Sequence, residues 1–218
     1  MAFDKTLVSD FDGTMTQYDF YSCAVQHLLC PEDLEPWHAY TRGEITHFEA
    51  LRRIFERIHA EMPEMERVLA AMEFDSVAAA AVQRLEGHGW NVVVVSNGCG
   101  WYIERFFQQH NLKLELHTNP GEYTPEHGLQ MQLPTQSPFF ARQFGISKTA
   151  VVQNAIQTCG TVAFAGDGRP DLEPSLMVPP ELRFARGWLA TELTSRGEPF
   201  QDFSKWSEIS GKLCGGAT

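Results

Sequence analysis

The hydrophobic and polar positions of the chain alternate between two rhythms. A short apolar run at Leu7-Val8 predicts a strand that stops at the polar stretch Asp10-Phe11-Asp12-Gly13-Thr14. From Asp19 onward the period changes to that of a helix: Phe20, Ala24, His27 and Leu28 share one face as far as Leu29. After a break at Cys30-Pro31-Glu32-Asp33, a second helix is expected to open near Thr46, with Glu49 as capping-box partner and Phe48, Leu51, Ile54, Phe55 and Ile58 inward. A third runs from Met62 to Met72, with Pro63 in its first turn. Residues 17–73 carry no strand pattern, so they predict a helical lid inserted after the first strand.

Beyond Asp75 the rhythm becomes helix, strand, polar turn, helix. An alanine-rich helix over Ser76–Glu86 directs Val77, Ala81, Val82 and Leu85 to a core. It feeds Trp90-Asn91-Val92-Val93-Val94-Val95, a β-branched run suited to burial on both faces of a parallel sheet. That strand ends at Ser96-Asn97-Gly98, and Trp101–His110 is helical again, with Ile103, Phe106 and Phe107 buried. Residues 112–134 alternate around Asn119-Pro120-Gly121 and predict a small β excursion outside the parallel repeat. A helix over Lys148–Thr158 (Val151, Val152, Ala155, Ile156 inward) then precedes a strand, Thr161–Ala165, ending at Gly166-Asp167-Gly168-Arg169-Pro170-Asp171. Leu182–Ala185 reads as a last strand, Trp188–Leu193 and Phe203–Leu213 as helices, and the Gly-Gly-Ala-Thr end is expected to fray. The fold class is therefore α/β, with a core of residues 1–16 and 74–218 and a lid of 17–73.

Composition narrows the partners. A formal charge of -11 with no basic stripe disfavours nucleic acid and anionic membrane, while a phosphorylated metabolite stays compatible if a metal reverses the potential inside a pocket. No apolar run approaches the ~18 residues of a membrane span. Five widely spaced cysteines lack metal-site spacing and, with no signal-peptide pattern at Met1–Lys5, predict free thiols in a cytoplasmic protein; a monomer or homodimer is expected.

The polar turns carry the candidate chemistry. Asp10/Asp12, Ser96/Asn97 and Asp167/Asp171 follow predicted strands, and Lys148 opens a helix; the carboxyl edge of an open parallel sheet is where ligands bind. Asp-Gly is also a common surface turn, but carboxylates converging on one point repel unless a divalent cation lies among them, and an all-oxygen set favours Mg²⁺. The Ser96 hydroxyl, backbone N–H groups at Phe11 and Asn97, and the Lys148 ammonium match three phosphoryl oxygens.

These four ordered motifs, DxDGT at Asp10–Thr14, Ser96, Lys148 and GDGxxD at Asp167–Asp171, resemble those of the haloacid dehalogenase superfamily phosphatases. The helical insertion resembles the cap of the phosphoserine phosphatase branch. The resemblance implies a three-layer sandwich with a parallel central sheet and a helical cap. It also implies phosphomonoester hydrolysis through an aspartyl phosphate on Asp10, with Asp12 as acid and base, Thr14 orienting the loop and Lys148 offsetting charge. Mg²⁺ would be held by Asp10, the Asp12 carbonyl and Asp167, with Asp171 nearby. Within the branch, the chain is similar to methionine-salvage phosphatases acting on 2-hydroxy-3-keto-5-methylthiopentenyl-1-phosphate, and next to phosphocholine/phosphoethanolamine phosphatases. Pro170 and Asn97 depart from the phosphoserine enzymes, which place asparagine and glycine there. Arg142 is an alternative phosphate-site cation. Leaving-group readout is expected from the lid, with Tyr18, Asp19, Tyr21, Trp37, Arg42 and Arg53 as candidates. Phosphoryl transfer between substrates on the same fold stays open as an alternative; carbon-halogen hydrolysis, a phosphate-binding regulatory protein and a receiver domain are the other competing readings, which the complete carboxylate set and the lid disfavour.

Overall fold

A computed structural model describes residues 4–215, so the expectation of a frayed end falls on residues largely outside it. Strand β1 (Lys5–Ser9) opens the chain, and helices α1 (Phe20–His27), α2 (Glu35–Thr41), α3 (His47–Phe55) and α4 (Met62–Ala71) form the insertion. Then come α5 (Ala78–Gly87), β2 (Trp90–Cys99), α6 (Gly100–Gln109) and β3 (Glu115–Asn119). Two hairpins follow, β4 (Gly121–Thr124) with β5 (Gly128–Met131) and β6 (Phe140–Ala141) with β7 (Gly145–Ile146). The chain closes with α7 (Lys148–Thr158), β8 (Thr161–Gly166), α8 (Leu172–Leu176), β9 (Arg183–Ala185), α9 (Gly187–Arg196), β10 (Gln201–Asp202) and α10 (Ser207–Leu213).

The expected α/β architecture is observed. Six parallel strands lie in the order β10-β9-β8-β1-β2-β3, so the chain reverses its winding direction at β1. Successive strand residues face opposite sides. Leu7, Val92, Val94 and Ala163 pack with α5, α6 and α10, whereas Val8, Val93, Val95 and Phe164 pack with Val151 and Val152 of α7. That division produces three layers.

Residues 115–119 correct the expectation of a β excursion over 112–134. They pair in parallel with β2, Val94 opposite Leu116, and complete the sheet edge, so only the hairpins stand outside it. Edge strands show the same alternation as a detached hairpin because one side faces solvent. Val77 and Ile156, expected inward, are exposed; Val77 is an N-cap residue outside the helical register, and Ile156 lies beside the inward stripe of α7.

The insertion leaves and rejoins the core at one place. Thr16 bridges Phe74, and the Gln17 N–H donates to the Met72 carbonyl. Helix starts are fixed by side chains: Asp19 accepts from the Ser22 N–H at 2.7 Å, and Thr46 from the Glu49 N–H at 3.1 Å. Each such cap contributes about 1 kcal/mol. The capping box expected at Thr46 forms only in that direction, because the Glu49 carboxylate is taken by Arg52 and Arg53. The core reaches across to hold the helices down. The Phe48 N–H donates to the Gln143 carbonyl at 3.0 Å, and the Tyr123 hydroxyl to the Ala60 carbonyl.

Candidate active site

The carboxyl ends of β1, β2 and β8 converge below the inserted helices on a cavity of about 860 Å³. Asp10, Asp12, Ser96, Asn97, Lys148, Asp167 and Asp171 all line it, so the sheet edge brings the four sequence motifs together.

Lys148 is buried and bridges two carboxylates, 2.7 Å from Asp10 Oδ1 and 2.6 Å from Asp171 Oδ1. Burial opposes its charge, but the two carboxylates outweigh burial and raise its pKa above the ordinary lysine value. Asp10 moves in the unfavourable direction: burial and the neighbouring Asp171 raise it well above the ordinary carboxylate value, with Lys148 only partly offsetting them. Burial and Asp171 likewise push Asp167 up to about 7. The acidic group thus carries more negative charge than one ammonium neutralises.

One oxygen from each of Asp10, Asp167 and Asp171 lies within 4.8 Å of the others. That hard, anionic, all-oxygen set fits Mg²⁺ rather than a soft metal. The three carboxylates are not equivalent, however. Asp171 is occupied on both oxygens, Oδ1 by Lys148 and Oδ2 by the N–H groups of Asp167 and Gly168 at 3.1 and 2.9 Å. It clamps the loop that presents Asp167, leaving Asp10 and Asp167 as the freer ligands. Thr14 holds Asp167 from the other side, its hydroxyl 3.0 Å from Oδ1. Gly13 is at φ +72, and a Cβ there would lie 2.4 Å from Asp167 Oδ2, so glycine lets the two loops meet.

Asp12 sits in a different environment two residues from Asp10. Its Oδ1 accepts from the Phe20 N–H at 3.1 Å, at the first turn of α1, and its Oδ2 from Ser96 and Tyr102 hydroxyls at 3.0 and 2.8 Å. Burial pushes its pKa up to about 6, and the three donors limit the rise. A carboxyl group of that value exchanges a proton near neutrality.

The remaining predicted residues divide. Phe11 contributes its ring to the core against Phe106, 5.5 Å between centroids. Asn97 is buried and donates to the Ile146 carbonyl at 2.7 Å, tying β2 to the loop before α7. Asp19, Tyr21 and Trp37 line the cavity. Tyr18 and Arg53 do not: Tyr18 is 51% exposed at the hinge, and Arg53 points along the outer side of α3 to Glu49 at 2.6 Å. Their helical or sequence proximity to the motifs suggested otherwise, but i,i+4 pairing to Glu49 draws Arg53 to the surface. Arg42 is spent on Glu35 and Glu44, and Arg142 is exposed away from the cavity. Burial pushes the thiols Cys23 and Cys99 up to about 11 and about 12, so both stay protonated.

Tyr102, His47 and Phe144 escaped the sequence reading. Tyr102 has a signal, since it lies four residues before Phe106 on the buried face of α6, directly after the Ser96 turn. His47 lines the cavity with a buried, unpartnered Nδ1, and burial together with Lys148 lowers its pKa to about 4.

The family model for haloacid dehalogenase-like hydrolase matches residues 7–173. Among solved structures, the fold is similar to a substrate-bound phosphoserine phosphatase complex, at 14% identity and TM-score 0.66, covering 94% of this chain and 96% of that one. A probable phosphoserine phosphatase from Vibrio cholerae aligns at 17% identity and TM-score 0.67, covering 96% and 64%. A HAD family hydrolase from Salmonella enterica subsp. enterica serovar Typhi aligns at 14% and 0.66, covering 93% and 68%. No curated protein sequence matches the chain. Among the described residues no helix is long and apolar enough to cross a membrane.

Proposed function

The chain belongs to the haloacid dehalogenase-like hydrolases, and on that premise we propose that it is a Mg²⁺-dependent phosphomonoesterase working through a covalent phosphate on Asp10. The observation that carries this reading is the contrast between its two first carboxylates. Asp10 is ion-paired with Lys148 and belongs to the metal-type cluster, while Asp12 faces hydroxyl donors with a pKa of about 6. One is suited to attack and the other to move a proton.

In the first half-reaction an Asp10 oxygen bonds to phosphorus as the bond from phosphorus to the leaving oxygen breaks, and Asp12 gives that oxygen its proton. In the second, Asp12 takes a proton from water as the water oxygen bonds to phosphorus. The bond to Asp10 then breaks, and inorganic phosphate leaves. Asp10 and Asp167, with the Asp12 carbonyl, would hold Mg²⁺. When bound it supplies positive charge against the carboxylates and the phosphoryl oxygens. Lys148 favours the ionised form of Asp10 and orients it, Asp171 and Thr14 hold Asp167, and Ser96 orients Asp12.

The substrate is a small phosphorylated metabolite whose leaving group lacks a carboxylate. Support comes from the cavity wall, where Lys148 and Arg169 are the cationic lining residues, Lys148 is already paired, and Asp19 adds a negative charge. That disfavours phosphoserine and keeps the methionine-salvage enol phosphate and phosphocholine in the class. A cytoplasmic setting is in keeping with the five free cysteines. The test is phosphate release from a panel of monoesters with Mg²⁺ and with chelator, alongside Asp10→Asn. We expect metal-dependent release, lost by at least about 10³-fold in D10N. Turnover by D10N, or turnover indifferent to chelation, contradicts the mechanism.

A further inference from the structure

One wall of the cavity plays no role in the chemistry just described. Above Lys148 its wall is a chain of aromatic rings: Tyr21 on Trp37 at 4.7 Å between centroids, Trp37 on Tyr40 at 5.3 Å, Tyr40 on His47 at 5.3 Å, and His47 on Phe144 at 5.5 Å. These five rings come from α1, α2, the start of α3 and the hairpin loop, so lid and core both contribute. All five are half-buried, in contrast to Phe20 and Phe48, which are buried in the lid core. Aromatic faces left partly open in a concave site are surface held ready for a ligand.

On the lid side, Asp19 is the charged lining residue. His47 is neutral at physiological pH because burial and Lys148 both oppose its protonation. Arg42, on the same lid, is held by Glu35 and Glu44. Arg169 is exposed and lies 4.7 Å over Trp188, on the core side of the opening. The volume, about 860 Å³, suits a leaving group the size of a ring system rather than a three-carbon chain.

We propose that the wall of Tyr21, Trp37, Tyr40, His47 and Phe144 is a leaving-group subsite for a flat, uncharged ring, so that the preferred substrates are phosphomonoesters of ring-bearing alcohols. This rests on the phosphomonoesterase reading and deepens it. Stacking on an aromatic face favours a planar ring over a saturated one of equal size.

The test compares kcat/KM of the Mg²⁺-loaded enzyme for benzyl phosphate and cyclohexylmethyl phosphate, two esters of primary alcohols similar in size and leaving-group chemistry, with phosphoserine and phosphocholine beside them. Benzyl phosphate is expected to be favoured over cyclohexylmethyl phosphate by roughly three- to tenfold, the worth of an aromatic contact beyond its buried area. It should exceed phosphoserine and phosphocholine by more. In Trp37→Ala and, independently, Tyr40→Leu the benzyl-to-cyclohexylmethyl ratio is expected to fall toward one; the second variant keeps the test open if the first does not fold. A ratio of one in the unaltered enzyme, or preference for phosphoserine or for the cationic phosphocholine, overturns the subsite while leaving the phosphatase reading standing. Absence of phosphate release from every ester overturns both.

Discussion

Tyr102 donates its hydroxyl to Oδ2 of Asp12 at 2.8 Å, across a position where only glycine fits. A Cβ on Gly98 would stand 1.8 Å from that hydroxyl and 2.8 Å from Oδ2. The bond links the second strand's turn and α6 to the carboxyl group proposed to move the proton. It favours the ionised form of Asp12 and so restrains the upward push of burial.

Removing that bond has a signed consequence. In Tyr102→Phe the pKa of Asp12 is expected to rise above its value of about 6, because a donor to the carboxylate is lost. The limb of the pH-rate profile that reports Asp12 should move to higher pH, and kcat at neutral pH should fall by roughly tenfold, the scale of one hydrogen bond to a charged group. A profile superimposable on that of the parent enzyme would show that Tyr102 only fills space.

Lys148 holds the cluster together electrostatically, so Lys148→Met is expected to lose stability as well as turnover. Breaking a buried ion pair costs on the order of 3 kcal/mol because the carboxylates lose their compensating charge. Without the lysine, Asp10 must titrate still higher, since Lys148 is what lowers it. The folded variant then retains protons that the unfolded chain, with carboxyl groups near 3.8, has released. Its stability must rise as pH falls from neutrality toward about 4. Urea denaturation at pH 8 and pH 5 checks this; a deficit equal at both pH values contradicts it.

How far the sequence led follows from which interactions are local. The motifs at Asp10, Ser96, Lys148 and Asp167 were legible because each follows a strand or opens a helix with a strong period, and sheet topology then makes them converge. The edge strand at Glu115–Asn119 was not, because the alternation of Leu112, Leu114 and Leu116 with polar residues is the same whether the segment pairs with β2 or with a hairpin. Tyr18 and Arg53 do not line the cavity, because closeness in sequence does not fix which side of the lid faces inward; pairing with Glu49 fixes it for Arg53. His47 and Phe144 meet only when the hairpin loop docks on α3, a contact between positions nearly 100 residues apart.

Metal and proton compete for the same oxygens. Without metal, Asp167 titrates at about 7 when folded against 3.8 as the ordinary value, so the folded protein binds the extra proton between those limits. The stability of the metal-free form therefore declines as pH rises from about 4 to about 7. Mg²⁺ binds the deprotonated site and should reverse the loss. At an ion concentration near 100 times Kd, the expected rise in Tm is about 5 to 10 °C at pH 8 and little at pH 5. Thermal unfolding with and without Mg²⁺ at the two pH values tests this, and equal shifts at both contradict the assignment.

His47 provides a titration of opposite sign. Its folded pKa is lowered to about 4 from 6.5, first by burial and then by Lys148. Between those values the unfolded chain binds the proton and the folded one does not, so this residue's contribution is complete above about pH 6.5. It is lost as pH falls toward 4. At pH 5 the loss relative to pH 7.5 is on the order of 2 kcal/mol. Urea denaturation of the parent protein and His47→Asn at both pH values isolates it, because the carboxylate cluster is common to the two proteins and cancels in the difference. The asparagine variant is expected to lose less stability on acidification by about that amount. An imidazole resonance titrating near 6.5, or identical pH dependence in the two proteins, would show that His47 is open to water.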